Sequence, residues 1–129
     1  MKIGGKTFKG KRTVLYFYPK DDTPGCTAEA IEFTQLLPRF KALGVEVFGI
    51  SADTLASHEK FCKKYNLGVP LLTTSPAEIK KLGILSDSGK SAKRTTFILD
   101  KKGKIEKIYE NVKAKGHAKA VLDYLKNHL

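Results

Sequence analysis

Cys26 and the residues around it, from Pro19 to Glu29, are the part of this 129-residue chain best equipped for chemistry. Thr23 suits a helix N-cap and Pro24 the first helical position, so Gly25 and Cys26 fall in the first turn. A sulfur there meets unpaired backbone N–H groups and the positive end of a helix dipole, and both favour the thiolate over the thiol. The chemistry this suits is nucleophilic attack. A buried cysteine acting as a small hydrophobe is the plainer alternative. Gly25 argues against it, because a glycine keeps side-chain bulk away and lets N–H groups approach a bound oxygen, and Thr23 adds a polar neighbour.

Positioning Cys26 requires a strand, a loop and a helix. Thr13 to Tyr18 is an uninterrupted apolar run and reads as a central strand buried on both faces. Pro19 cannot donate to a sheet ladder and ends it. The helix is expected from Thr23 to Leu43, with a kink possible at Pro38 and Gly44 as its stop. Val45 to Ser51 reads as a second central strand, parallel to the first across a right-handed βαβ connection.

A second helix is expected from Thr54 or Ser57 to Tyr65 or Asn66, with Leu55, Phe61, Cys62 and Tyr65 at helical spacing. Cys62 stands 36 positions after Cys26, too far for a local C-x-x-C pair, and two cysteines alone are too sparse for zinc. Core packing and a second reactive thiol both remain open for it. His58 lies one turn earlier on the same face and reads as an exposed surface histidine, with activation of Cys62 by its cation as the sharper alternative. His117 and His128 suggest no role.

Pro70 to Thr74 reads as a short strand, Pro76 to Leu82 as a short helix and Ile84 to Lys93 as a loop. Thr95 to Asp100 and Lys104 to Tyr109 form a hairpin around Lys102-Gly103, and a last amphipathic helix spans Gly116 to Asn127 with Ala118, Val121, Leu122 and Leu125 on one face. Arg94, just before the hairpin, reads by itself as a surface charge.

Composition fits one globular domain over residues 1–129, with 41% hydrophobic residues and no low-complexity tract. No apolar segment suits a signal peptide or a membrane span, so a soluble cytoplasmic protein is expected. Two cysteines in a reducing compartment suit catalysis better than a disulfide framework. The net charge of +11 would by itself suggest a nucleic-acid partner. The lysines are scattered, however, at Lys63, Lys64, Lys80, Lys81, Lys101, Lys102, Lys113 and Lys115, which reads as a solvated surface and not as a specific nucleic-acid site.

Pro19, Thr23 and Cys26 stand in the spacing P-x-x-x-T-x-x-C, within the longer string FYPKDDTPGCTAE. In this the chain resembles the peroxiredoxins, and in particular their bacterioferritin-comigratory-protein (PrxQ) branch. ISAD at Ile50, HEKFCKKYNL ending at Leu67, PLL at Pro70, RTTFILD from Arg94 and DKKGKI to Ile105 extend the resemblance, in order, over most of the chain. It implies an α/β, thioredoxin-like fold: a central mixed sheet flanked by helices, agreeing with the element order above. The family's N-terminal hairpin is largely missing.

The resemblance implies a thiol peroxidase acting on hydrogen peroxide and organic hydroperoxides. Cys26 would be the peroxidatic residue that becomes a sulfenic acid, shielded by Pro19. Thr23, Arg94 and the backbone N–H groups of Gly25 and Cys26 would hold the peroxide oxygens. Many relatives place a resolving cysteine five residues after the peroxidatic one, where this chain has Ile31. Others place it on the following helix, which makes Cys62 the candidate for an intramolecular disulfide with Cys26. Thioredoxin or a similar dithiol would reduce that disulfide, and the protein would be a monomer without metal or other cofactor. Two alternatives stay open: a one-cysteine peroxidase resolved by an external thiol, and a binding module in which Cys26 is vestigial. The short N-terminus and the short 84–93 loop are expected to leave part of the sheet and pocket exposed.

Overall fold

The computed structural model describes all 129 residues. Its elements in chain order are β1 (Lys2–Ile3), β2 (Lys6–Thr7), β3 (Arg12–Phe17), α1 (Pro24–Ala42), β4 (Val45–Ser51), α2 (Leu55–Tyr65), β5 (Leu71–Thr73), α3 (Pro76–Lys81), β6 (Thr95–Leu99), β7 (Ile105–Tyr109) and α4 (His117–Asn127). Every side chain from Val14 to Phe17 is apolar or aromatic, so β3 needs cover on both faces. It gets that cover as the middle strand of a five-stranded sheet of order β5-β4-β3-β6-β7. β3, β4 and β5 run parallel, and β6 and β7 return antiparallel.

Alternation along β3 divides the interior into two cores. Val14, Tyr16 and Tyr18 face Phe33 and Phe40 of α1, Phe61 of α2, and Val121, Leu122 and Leu125 of α4. Leu15 and Phe17 face Phe48, Ile50, Ile79, Phe97 and Leu99 on the other side. Gly49 of β4 opens room for a neighbouring aromatic, since a Cβ there would stand 2.6 Å from the Tyr16 ring tip.

The family resemblance implied this architecture, and the bounds agree closely. β3 is shifted one residue toward the N-terminus, although the Tyr18 N–H still donates to the Ile50 carbonyl at 3.1 Å. α1 continues through Pro38. What remains of the N-terminal hairpin is the two-residue pair β1 and β2. Part of the sheet is exposed, at Ile105 and Ile108 of β7, but the side beside the hairpin is covered. Ile3 and Phe8 beside the hairpin, with Ile84 and Ala92 from a loop closed by a Leu85–Ala92 bridge, complete the second core.

The register of β3 with β6 matters most for the site. Phe17 lies opposite Thr95, which brings the residue just before β6, Arg94, to the carboxyl end of β3, where the chain leaves for α1.

Candidate active site

Cys26 sits in the first turn of α1 and is 1% exposed. Thr23 occupies the N-cap position with an extended backbone, and its carbonyl accepts the first helical bond, from the Thr27 N–H at 2.8 Å. Its hydroxyl does not cap the helix. It donates instead to the Lys20 carbonyl at 2.8 Å, folding the loop between Pro19 and Thr23 into a tight turn. Pro24 has no N–H to offer, and the N–H groups of Gly25 and Cys26 precede the first helical bond. They are free to meet an anion beside the sulfur.

Arg94 completes the site. Its Nη2 donates to Cys26 Sγ at 3.3 Å and its Nη1 to Glu29 Oε1 at 2.7 Å. The surface-charge reading is corrected here: the Arg94 side chain is only 17% exposed and spans the gap between sulfur and carboxylate. Gly25 makes the approach possible, since a Cβ there would stand 2.9 Å from Arg94 Nη2. Cys26, Arg94 and Gly25 thus come together, with Thr23 at the N-cap of the same helix and Pro19, half-buried, at the start of the loop before it.

Glu29 escaped the sequence reading. It is fully buried, its Oε2 has no partner, and burial pushes its carboxyl up to about 7 against the opposing pull of Arg94. A carboxylate one turn after a reactive cysteine on α1 is a signal the spacing carried, but only the fold shows it paired with Arg94. His117 is a second buried neighbour, bonded through Nε2 to Thr96 Oγ1 at 2.7 Å. Burial, aided by the charge of Arg94, lowers it to about 4, so it stays neutral near pH 7.

His58 is not an exposed surface residue: it is 2% exposed. Its Nδ1 lies 2.8 Å from Asp21 Oδ2 and its Nε2 3.2 Å from the Leu72 carbonyl. Helical spacing places it on the Cys62 face, yet the ring points into the carboxyl ends of the parallel strands. Asp21 also accepts from the Tyr18 hydroxyl at 2.6 Å and from Ser57 Oγ at 2.8 Å. These bonds outweigh the burial that opposes charge and hold the Asp21 carboxyl below its ordinary range.

Cys62 lies half-buried in the last full turn of α2, and its carbonyl accepts from Leu67 N at 3.0 Å beyond the left-handed cap at Asn66. Burial first, and then the charge of Asp21, raise its thiol above the ordinary range. No bond joins Cys62 to Cys26 in this structure. A broad groove lined by Lys11, Arg12, Lys101, Lys102 and Lys104 opens at the other end of β3, away from Cys26. No group of three or more His, Cys, Asp or Glu residues is gathered as a metal set, and no helix is long and apolar enough to cross a membrane.

Comparison with known proteins gives the site its relatives. The AhpC/TSA family model matches residues 2–108. A putative peroxiredoxin bcp of Coxiella burnetii is 40% identical over 124 residues, covering 91% of this chain and 82% of that one. The chloroplastic peroxiredoxin Q of Triticum aestivum is 48% identical over 106 residues, 81% of this chain, which spans about half (49%) of the plant protein. The bacterioferritin comigratory protein of Xanthomonas campestris, whose structures concern its alkyl peroxide reduction activity, superposes with a TM-score of 0.83 at 36% identity, over 94% of this chain and 82% of that one. Two structures of peroxiredoxin Q from the same organism carry single cysteine-to-serine changes 36 positions apart, the separation of Cys26 and Cys62.

Proposed function

This chain belongs to the AhpC/TSA family, in its peroxiredoxin Q and Bcp branch, and on that premise we propose that it reduces hydroperoxides by a two-cysteine cycle. The observation that carries the proposal is the Arg94 guanidinium 3.3 Å from a cysteine sulfur in a helix first turn. A permanent cation meets the sulfur at the start of a helix, whose free N–H groups favour an anion, as a thiolate nucleophile requires.

In the first step Cys26 attacks one oxygen of the peroxide. The S–O bond forms as the O–O bond breaks, sulfur is oxidised by two electrons, and the alkoxide or hydroxide leaves as alcohol or water after taking a proton. Arg94 and the Gly25 and Cys26 N–H groups stabilise the leaving oxygen. The proton of the Thr23 hydroxyl is committed to Lys20, so Thr23 offers the peroxide lone pairs and accepts its O–H. Pro19 walls the loop side and limits further oxidation of the sulfenic acid.

In the second step the Cys62 sulfur attacks the sulfenic sulfur. An S–S bond forms, and the hydroxyl leaves as water with the proton from Cys62. The matching 36-residue separation in the Xanthomonas variants supports Cys62 in this role. A thioredoxin-type dithiol then returns both thiols by exchange through a mixed disulfide. An intramolecular disulfide needs no second chain, which agrees with a monomeric enzyme, and the proposal keeps it in the reducing cytoplasm without metal or cofactor.

The test is the mass and thiol count of reduced protein after one equivalent of hydrogen peroxide, beside the Cys26→Ser and Cys62→Ser variants. Loss of two hydrogens and both thiols in the wild type, with a trapped sulfenic acid in Cys62→Ser, is expected. A stable sulfenic acid with Cys62 still free would leave a one-cysteine enzyme, and no rapid reaction would sink the peroxidase.

A further inference from the structure

Disulfide formation requires Cα atoms within about 7 Å. Cys26 is buried in a helical first turn and bonded by Arg94, and Cys62 lies in the last full turn of a helix closed by its own cap, so bringing the two sulfurs together calls for regular structure to open at one or both sites. The loop between the Cys26 strand and α1 is tied to α2 at two places.

Asp21 makes the first tie. Its carboxylate accepts from Tyr18 at the end of β3 and from Ser57 and His58 in the first turns of α2, and its N–H donates to Asp53 Oδ2 at 2.9 Å. Asp53 is itself held by Ser51 Oγ at 2.6 Å. The two nitrogens of His58 face a carboxylate and the Leu72 carbonyl, so the ring bridges the loop to β5. The Asp21 and His58 side chains are each 3% exposed. Asp22 makes the second tie, accepting from Lys64 Nζ at 2.8 Å and Tyr65 hydroxyl at 2.7 Å, just beyond Cys62. Asp22 is exposed and in a left-handed backbone, φ 59.

We propose that Asp21 and His58 are positioning residues for the resolving step: they latch the loop before Cys26 to the start of α2, and the opening of this latch limits disulfide formation without governing peroxide reduction. The proposal rests on the two-cysteine cycle proposed above. A closed latch holds the loop before Cys26 against α2 and keeps the Asp21 carboxylate where its charge disfavours a Cys62 thiolate, while Cys26 and Arg94 are held together separately, by the Glu29 pair and the β3–β6 register. Opening it releases the N-terminal turn of α1 and the charge together.

The experiment combines two readouts on wild type, Asp21→Asn, His58→Leu, His58→Asn and Asp22→Asn. The first is amide hydrogen exchange of the reduced protein at Thr27 and Leu67, which needs no peroxide. The second is rapid quench after hydrogen peroxide, resolving sulfenic acid formation from disulfide formation. Asp21→Asn and His58→Leu should speed exchange at both amides, and disulfide formation, by about tenfold, with sulfenic acid formation changed by less than about twofold. His58→Asn, whose amide can donate to Asp21 in place of Nδ1, should recover most of the wild-type behaviour, and Asp22→Asn should match wild type. Should Asp21→Asn fail to fold, the two His58 variants carry the same test.

Unchanged exchange, or faster exchange without faster disulfide formation, overturns the latch. So does a parallel change in both chemical steps, which marks a merely structural role. Absence of any disulfide in the wild type overturns the two-cysteine cycle instead, and is told apart because the exchange readout does not depend on it.

Discussion

Two buried ionic clusters flank the turn that carries Cys26, and they are built on opposite plans. Around Asp21, a carboxylate receives donors from Tyr18, Ser57 and His58, and its charge is favoured. Around Arg94, one guanidinium serves both Glu29 and Cys26, Glu29 keeps an unpartnered oxygen, and its charge is disfavoured. A fully satisfied buried network rigidifies, and an incompletely satisfied one holds electrostatic capacity in reserve. The difference assigns holding of the loop to the first cluster and reaction with the peroxide to the second: the Arg94 donors left over by Glu29 are those a peroxide or a thiolate can use.

The sharpest way to break the comparison is Arg94→Ala. Losing the charge beside the reacting atoms should lower the second-order rate with peroxide by about 10²–10³-fold, measured by stopped flow, while the Asp21 cluster and its amide protection persist. Arg94→Lys should recover little, because a point charge cannot donate to Glu29 and sulfur from one planar fork.

Next comes Asp21→Asn, read by urea unfolding. It should cost ~2–4 kcal/mol at neutral pH, since donors matched to a buried carboxylate lose their partner. The folded state holds Asp21 below its unfolded value, so this stabilisation is present above about pH 4 and is lost as pH falls through the folded value. The wild type should therefore converge on Asp21→Asn in acid.

Glu29 should behave with the opposite sign. Its carboxyl is raised from 4.5 to about 7, so the folded state favours the neutral form. Wild-type stability should decline relative to Glu29→Gln between pH 4.5 and 7, by up to ~3 kcal/mol, and then level off. A flat difference across that range, measured in the same urea titrations, would contradict the contrast between the clusters.

The smallest effect belongs to Asp22→Asn. Asp22 and Lys64 are both exposed, and surface pairs of this kind contribute little. Thermal unfolding should shift by no more than the error of measurement.

The chemistry at Cys26 was legible along the chain because it depends on local order. Thr23, Pro24, Gly25 and Cys26 are consecutive, and consecutive residues are enough to start a helix and aim its N–H groups. The apolar run before Pro19 likewise declares a central strand, and the hairpin after Arg94 declares itself by period and turn residues. The roles of Arg94 and Cys62 were legible only as what a family resemblance implies.

Side-chain partners far apart in the chain were not legible. Glu29 drew no reading of its own, and His58 read as a surface residue, because helical periodicity gives the face a residue lies on but not what that face meets. Burial of Glu29 was decided when the β3–β6 register carried Arg94 to the helix start. Burial of His58 was decided when three parallel strands ended together at Phe17, Ser51 and Thr73. By itself the sequence determined a nucleophile with its helix and strand, since those follow from neighbouring φ/ψ preferences and hydrophobic period. Only the tertiary structure decided which buried charge is satisfied and which is left wanting, because that depends on donors and acceptors that meet across the sheet.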